Sequence, residues 1–379
     1  MPTALFNCRT LLDDALVDGM AVIIEGTTIA AVLPEAEIPS STGRLDLKGA
    51  ILAPGFIDTQ VNGGGGVLFN DAPTVETIAT IGAAHRRFGT TGFLPTLISD
   101  DLATVRAGIA AVDEAIERGV PGVLGIHIEG PFLNIDRKGI HDPDKIITLD
   151  DEGYAAVTGL KRGRTLVTLA PEKTSAAMVA RLAAAGVIVA AGHTDGSYEA
   201  IRGALDAGMT GFTHLFNAMS PLASREPGAV GAALEDRDSW CGLIVDGRHV
   251  HPATMRVALN AKGERIMLVT DAMPSVGQIE KSFMLQGHRV DVVDGVCVNE
   301  DGTLAGSDLD MAQAVHNAEA MLGVSQAQAL NMAGRHPACF LRLEGSHGRI
   351  APGWSADLVT LDSNGRTLAT WIRGSCEDS

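Results

Sequence analysis

Between residues 51 and 275 the chain alternates short apolar runs with Ala-rich stretches of helical spacing, and this alternation restricts the possible folds more than any other feature. The runs are "APGFIDTQ", "TGFLPTLIS", "GVLGIHIEG", "RTLVTLAPE", "GVIVAAGHT", "GFTHLFNA", "CGLIVDGRH" and "RIMLVTDAM". They are continuous rather than alternating in polarity, as expected of strands covered on both faces. The pieces between them, such as "TVRAGIAAVDEAIERG" and "SYEAIRGALDAG", have helical period and stop at a glycine. Eight strand–helix units in succession predict an α/β fold, a TIM (β/α)8 barrel, with a doubly wound sheet as the second choice.

The flanks read differently. Residues 1–50 hold "MAVIIEG", "TTIAAVLP" and "RLDLKG", short β-type runs separated by turn residues. The tail "GRIAPGWSADLVTLD" returns to that pattern after a helical stretch near 308–342. We therefore expect a small discontinuous β-sandwich formed by 1–52 and 345–379, with the barrel occupying 53–344. Segment 281–304 reads as an inserted β-hairpin.

Net charge is −17, from 29 basic against 46 acidic residues, which argues against a nucleic-acid or anionic-membrane partner. An anionic substrate would need positive charge concentrated locally. The five cysteines are scattered with no CxxC pair, a pattern that suits reduced, buried thiols. There is no basic leader and no run of 18 apolar residues. A soluble, cytoplasmic enzyme acting on a small molecule is expected.

In a barrel of this kind chemistry gathers where the strands end. Strand 3 ends in His127 and Glu129, strand 5 in His193, strand 6 in His214, strand 7 in Asp246 and His249, and strand 8 in Asp271. His193 and His214 are one strand–helix unit apart, so they should converge at equal height on adjacent strands. Imidazoles with a carboxylate suit one divalent ion, zinc or iron, with a position left open for water. Glu129, His193 and His214 are the expected ligands. Asp271 is the expected general base, placed to take a proton from water and return it to a leaving group. His127 shares a strand face with Glu129 and is expected to support or pack rather than ligate. Strand 1 ends in Gln60 and Asn62, whose amides are weak zinc ligands, so a second metal position there should be empty or loosely filled. His85, His288, His316, His336 and His347 are expected to carry no chemistry.

Five ordered motifs carry a resemblance: "GIHIEGPFLN", "AGHTDGSYEA", "GFTHLFNAMSPL", "VDGRHVHP" and "LVTDAMP". Together they resemble the N-acetylglucosamine-6-phosphate deacetylase family of the amidohydrolase superfamily, from about residue 50 to 310, with the flanking β-module as that family has it. The resemblance implies removal of acetate from N-acetyl-D-glucosamine 6-phosphate. It implies Glu129, His193 and His214 as metal ligands, Asp271 as catalytic acid and base, and His141 as a hydrogen-bond partner near the acetamide carbonyl. Asn217 and Ala218 match substrate-holding positions. Arg225 and His249 match residues that reach the sugar phosphate across a homodimer from the neighbouring subunit. One branch of the family has Gln-x-Asn at the end of strand 1 and works with one metal, and Gln60 and Asn62 resemble that branch. Alternatives are another amidohydrolase-type activity, such as a D-aminoacylase or adenine deaminase, and an inactive barrel kept for assembly. A sugar-phosphate clamp at Arg225 and His249 argues against the first. Retention of Glu129, His193, His214 and Asp271 argues against the second.

Overall fold

The computed structural model describes residues 1–378. Its centre is a sheet of eight parallel strands in sequential order: β1 (Phe56–Val61), β2 (Thr90–Ile98), β3 (Gly125–Glu129), β4 (Arg164–Leu169), β5 (Ile188–Ala191), β6 (Gly211–Phe212), β7 (Trp240–Leu243) and β8 (Ile266–Leu268). Every residue of β1, β2 and β3 is buried, which is why these strands are apolar without alternation. Helices follow the strands, and several begin on the side chain of a serine, threonine or aspartate. Thr74, Asp150, Ser175 and Ser197 each accept a backbone N–H in the first turn of theirs. The helices lay their apolar faces on the strands, so that one core runs from Phe56 and Phe93 through Phe212 to Phe340.

The barrel closes between β1 and β8 without a regular ladder. Asp58 in β1 does much of this work. Its Oδ1 accepts from the backbone of Gln60 (3.1 Å) and Thr270 (3.3 Å), and its Oδ2 accepts from the Thr270 hydroxyl (2.5 Å). Beyond it, the Ala272 carbonyl accepts from Asn62 N (2.9 Å) and Gly63 N (3.0 Å). The seam is thus a carboxylate followed by a short bridge, and it lies directly beneath the mouth.

The segment expected as a hairpin is larger than that. It forms four antiparallel strands, β9 (Ser282–Leu285), β10 (His288–Val293), β11 (Val296–Asn299) and β12 (Leu304–Ser307). The last of these returns to the barrel: Ser307 N donates to the Asp271 carbonyl (2.9 Å), and Met273 N donates to the Ser307 carbonyl (3.0 Å). Sequence pattern marked the turns but not that return, because the returning contact depends on a strand end far from it in sequence.

Both chain ends build the β-sandwich. One sheet of four strands uses residues 3–46, and a second of six strands joins 9–17 and 51–54 to 358–378. Leu358 pairs with Pro54 and Leu361 with Ile51, so the tail completes the N-terminal sheet. Leu5, Val22, Ile24, Leu52, Leu358 and Trp371 form its core. Arg86, on the helix after β1, ties this module to the barrel by donating to the Ser375 carbonyl (2.7 Å) and pairing with Glu377 (3.0 Å).

Burial raises the pKa of Asp58 to about 7 against the three hydrogen bonds that favour its anion. The folded state therefore keeps a proton that the unfolded chain loses near pH 4, and folding stability should fall as pH rises from about 4 to about 7. Asp58→Asn should keep the seam and flatten that slope. Asp58→Ala should leave two backbone N–H groups unpaired and cost roughly 2–4 kcal/mol. Thermal melts between pH 5 and 8 check both.

Candidate active site

The mouth of the barrel opens into a cavity of about 350 Å3 whose lining includes Glu129, His193, His214 and Asp271. Glu129 is the last residue of β3, and the other three follow their strands by two or three residues. All three of those residues have left-handed backbones: φ is 48° at His193, 34° at His214 and 54° at Asp271. Non-glycine residues rarely sit there, and the strain is tolerated where the surroundings force it. Here it turns each side chain off the strand and into the mouth.

Glu129 Oε1 lies 3.2 Å from His193 Nε2 and 2.9 Å from His214 Nε2, and the two nitrogens are 3.1 Å apart. Metal–ligand bonds of about 2.0–2.1 Å would give tetrahedral edges of about 3.3–3.4 Å, so the three donors are already close to the spacing such an ion needs. The chemistry agrees. His193 Nδ1 donates to the Arg137 carbonyl (2.8 Å), which leaves Nε2 as the lone-pair atom. Two imidazole nitrogens at that separation repel unless a cation or proton lies between them. The trio could therefore hold one metal ion, and it is the one such cluster found among the described residues. Burial alone would raise the pKa of Glu129, but the neighbouring imidazoles of His193 and His214 hold it well below the usual carboxylate range. It is an anion at neutral pH.

Asp271 stands across the mouth, partly exposed to the cavity. Its Oδ1 accepts from Asn62 Nδ2 (2.7 Å) and Gln60 Nε2 (3.1 Å), and Oδ2 accepts no hydrogen bond from the described residues. Burial first, then the neighbouring Glu129 charge, raises its pKa to about 6, a suitable value for a group that takes and returns a proton near neutrality. Its backbone is locked by Ser307 and by Gly306 (φ 68°), where a Cβ would lie 2.7 Å from the Asp271 carbonyl oxygen.

His141 enters from the loop after β3. Its Nδ1 accepts from the Ser99 backbone N–H (3.1 Å), with the Ser99 hydroxyl 2.8 Å away. A backbone N–H can only donate, so Nδ1 carries the lone pair and Nε2 the proton. Burial, then the proximity of His193, lowers its pKa well below the ordinary value and keeps it neutral. His249 lines the same cavity and is held by Asp246, whose Oδ2 is 2.6 Å from His249 Nδ1. Asn217 and Ala218 line it as well.

His249 faces the cavity of its own chain, with its side chain 4% exposed. Arg225 behaves differently: it sits in an exposed loop and is absent from the lining of that cavity. His127, expected to support rather than ligate, is buried below Glu129 and bonded to the hydroxyls of Thr168 (2.7 Å) and Thr96 (3.4 Å). Sequence reasoning missed Ser99, Arg137 and Gly306. The first two act through the backbone, which residue identity does not reveal. Gly306 carried a signal, a glycine just before the serine that closes the inserted sheet.

Replacing His193 or His214 by alanine should bring bound divalent metal from about one ion per chain to near zero after dialysis, since two ligands rarely suffice. Gly306→Ala should leave the metal in place, because it presses on Asp271 and touches no ligand. Elemental analysis of the purified variants separates the two cases.

The sequence matches the Amidohydrolase family over residues 51–376 and the NagA composite domain over residues 3–52. It is 42% identical to the N-acetylgalactosamine-6-phosphate deacetylase of Shewanella sp. (strain ANA-3), over 97% of this chain and 91% of that protein. It is 34% identical to the N-acetylglucosamine-6-phosphate deacetylase of Haemophilus influenzae, with both chains covered in full. Among solved structures, the N-acetylglucosamine-6-phosphate deacetylase of Pasteurella multocida superposes with a TM-score of 0.97 at 32% identity, covering all of both chains. With its site residues gathered at the mouth of the barrel and relatives matching along its whole length, the chain belongs to the amidohydrolase family.

Proposed function

We propose that the protein hydrolyses the acetamide of N-acetyl-D-glucosamine 6-phosphate to D-glucosamine 6-phosphate and acetate. The observation that carries this reading is the convergence, in one cavity, of a Glu–His–His donor set, an aspartate with one free oxygen and a neutral imidazole donor, in a chain several of whose relatives are named for this reaction.

Glu129, His193 and His214 would hold one divalent ion, zinc or iron by donor type. When bound, such an ion supplies Lewis acidity and makes water a stronger acid near neutral pH. Asp271 Oδ2 takes one proton from the attacking water as its oxygen adds to the acetamide carbon. His141 Nε2–H donates to the carbonyl oxygen as negative charge builds there, a contact that Ser99 prepares by fixing the tautomer. Asp271 then returns the proton to the sugar nitrogen, the C–N bond breaks and acetate leaves. Asn217 and Ala218 contact the sugar. His249 presents Nε2 to the phosphate, with the Asp246 carboxylate behind its Nδ1.

Arg225 completes the phosphate site from a second copy of the chain. An apolar groove lined by Phe216, Met219, Leu222 and Val257 lies on the back of the Asn217–Ala218 turn, and Leu222 and Val257 are more than half exposed. The loop carrying Arg225 borders it. Covering that groove with a second subunit would bring the guanidinium, which grips phosphate with a planar fork of donors, toward a neighbouring mouth. Among the described residues no helix is long and apolar enough to cross a membrane. A phosphorylated sugar substrate places the reaction in the cytoplasm.

A second reading concerns the sugar alone. The relatives from Shewanella and Escherichia coli, 42% and 37% identical, are named for the N-acetylgalactosamine 6-phosphate reaction. Acetate release should be measured on both hexosamine phosphates, before and after chelation. We expect turnover of the gluco sugar that chelation abolishes. A preference of more than about tenfold in kcat/KM (1.4 kcal/mol) for the galacto sugar transfers the assignment to the second reading, and inactivity on both overturns the proposal.

Two variants probe the residue roles. Asp271→Asn should lower kcat by at least about 10²-fold with metal retained. Arg225→Ala should lose roughly 2–4 kcal/mol in kcat/KM on the phosphorylated sugar and little on the unphosphorylated one. Mixing the two inactive proteins and allowing subunits to exchange should restore activity, because a mixed dimer then has one intact site. No recovery despite exchange would place Arg225 in its own subunit's site.

A further inference from the structure

Strand β4 lies between β3 and β5 in the barrel, yet neither it nor the loop after it lines the cavity. Its contribution is indirect and is made by Glu172, just past the strand's end. Glu172 Oε1 accepts from Asn134 Nδ2 (2.8 Å) and from the Asp195 backbone N–H (2.8 Å), and Oε2 accepts from the Thr194 hydroxyl (2.5 Å). The Thr194 oxygen takes the Gly196 N–H (3.0 Å) on a lone pair, so its own proton is left for the carboxylate. Asn134 belongs to the loop after β3, and Thr194 and Asp195 to the loop after β5. One carboxylate thus ties together the two loops that flank its own strand, through uncharged donors on both oxygens. Hydrogen bonds to an ionised acceptor are about twice as strong as neutral ones.

What the tie holds is His193. Its carbonyl accepts from Asn134 N (3.0 Å), its Nδ1 donates to the Arg137 carbonyl (2.8 Å), and its ring meets that of His141 edge-on with centroids 4.4 Å apart. All three contacts come from the loop after β3, so that loop sets the direction of a ring whose backbone is already strained. The same loop delivers His141 to the cavity. A second tie between the loops, the Arg137–Asp195 ion pair (2.7 Å), has both side chains more than a third exposed, and such pairs contribute little. Thr194, by contrast, is fully buried and Asn134 nearly so. Packing around the carboxylate is close: a Cβ at Gly196 would lie 3.0 Å from both Glu172 Oε2 and Thr194 Oγ1.

We propose that Glu172 is a positioning residue: by clamping Asn134 to Thr194 and Asp195 it fixes the proposed ligand His193 and, through the same loop, the carbonyl-facing His141. It touches neither ion nor substrate. Ligand direction and substrate contact are thereby set by one carboxylate on the strand that sends nothing into the cavity. The inference rests on the deacetylase reading for its kinetic arm and is independent of it for its metal arm.

The metal arm titrates metal-stripped full-length protein with zinc against a chelating dye, and records the visible bands of the cobalt(II)-loaded protein. Glu172→Ala should weaken zinc binding by about 10- to 100-fold, the usual loss when the support behind a ligand is removed, and should shift the cobalt bands. Glu172→Gln keeps an oxygen for Asn134 and Asp195 and should hold zinc within about threefold of wild type. Wild-type affinity and bands in Glu172→Ala would overturn the proposal, as would a glutamine variant that loses zinc as badly as the alanine one. If Glu172→Ala does not fold, Thr194→Val, which removes one donor at nearly constant shape, decides: about tenfold weaker zinc binding is expected, and wild-type affinity overturns the proposal. In the kinetic arm, with zinc saturating, Glu172→Ala should lower kcat on the phosphorylated sugar by about tenfold with KM within about threefold, because His141 shifts with the loop. Unchanged kcat would remove His141 from what Glu172 positions. Should wild-type protein be inactive on both sugars, the substrate reading fails while the zinc and cobalt measurements still decide this one.

Discussion

Everything at the mouth of this barrel depends on a buried negative charge at Glu129. Removing a carboxylate from water is costly unless donors replace the lost hydration, and a partly satisfied buried charge is worse than none. Glu129 is 2% exposed, and its oxygens are met by His193, His214 and Gln60. Those partners come from β5, β6 and β1, so its satisfaction depends on the barrel having closed. The site and the fold are therefore coupled: the carboxylate needs the closed barrel, and the closed barrel aims the donors. Burial first, and then the same charge, raises the pKa of Asp271, which gives two nearby carboxylates different protonation behaviour from their surroundings alone.

Strain at the strand ends is the second consequence. Left-handed φ values at His193, His214 and Asp271 each cost of order 1–3 kcal/mol unless the neighbouring chain holds them. It does. Asn134 N donates to the His193 carbonyl, Leu215 N to the Gly242 carbonyl just after His214, and Ser307 N to the Asp271 carbonyl. Each clamp comes from a different element: the loop after β3, the β6–β7 pair and the returning strand β12. The inserted sheet thus has a role at the site, although most of it lies away from the chemistry. It locks the backbone of Asp271, and Thr303 and Leu304 add to the cavity wall.

Much of this was legible in the sequence because it follows from periodicity. Strands buried on both faces must be apolar throughout, so Glu129, His193, His214 and Asp271 stood out as polar ends on apolar runs. Spacing of one strand–helix unit correctly brought His193 and His214 together, 3.1 Å apart at Nε2. The discontinuous sandwich was legible because the short β-type runs and turn residues of the N-terminal segment return in the tail after a helical stretch. Placement relative to the cavity was less accessible. His249 and Arg225 follow different strands with similar surroundings, and only the fold shows one inside the cavity and the other outside it.

What the sequence concealed was the use of backbone atoms and of side chains by their less obvious ends. The Arg137 carbonyl orients His193, and the Ser99 N–H sets the tautomer of His141; any residue there could in principle do the same. Asp58 is a harder case, because a charged residue within an apolar strand reads as a functional site. It is a closure device instead, joining the first strand to the last where the ladder stops. Gln60 and Asn62 were read as poor ligands, which considers their oxygens. Their nitrogens are what the carboxylates meet. An amide has both ends, and which one faces the charge decides whether a position is a vacant metal site or a filled electrostatic one. At the mouth of this barrel the donor end faces inward, so the residues that look like lost ligands are donors to the groups that remain.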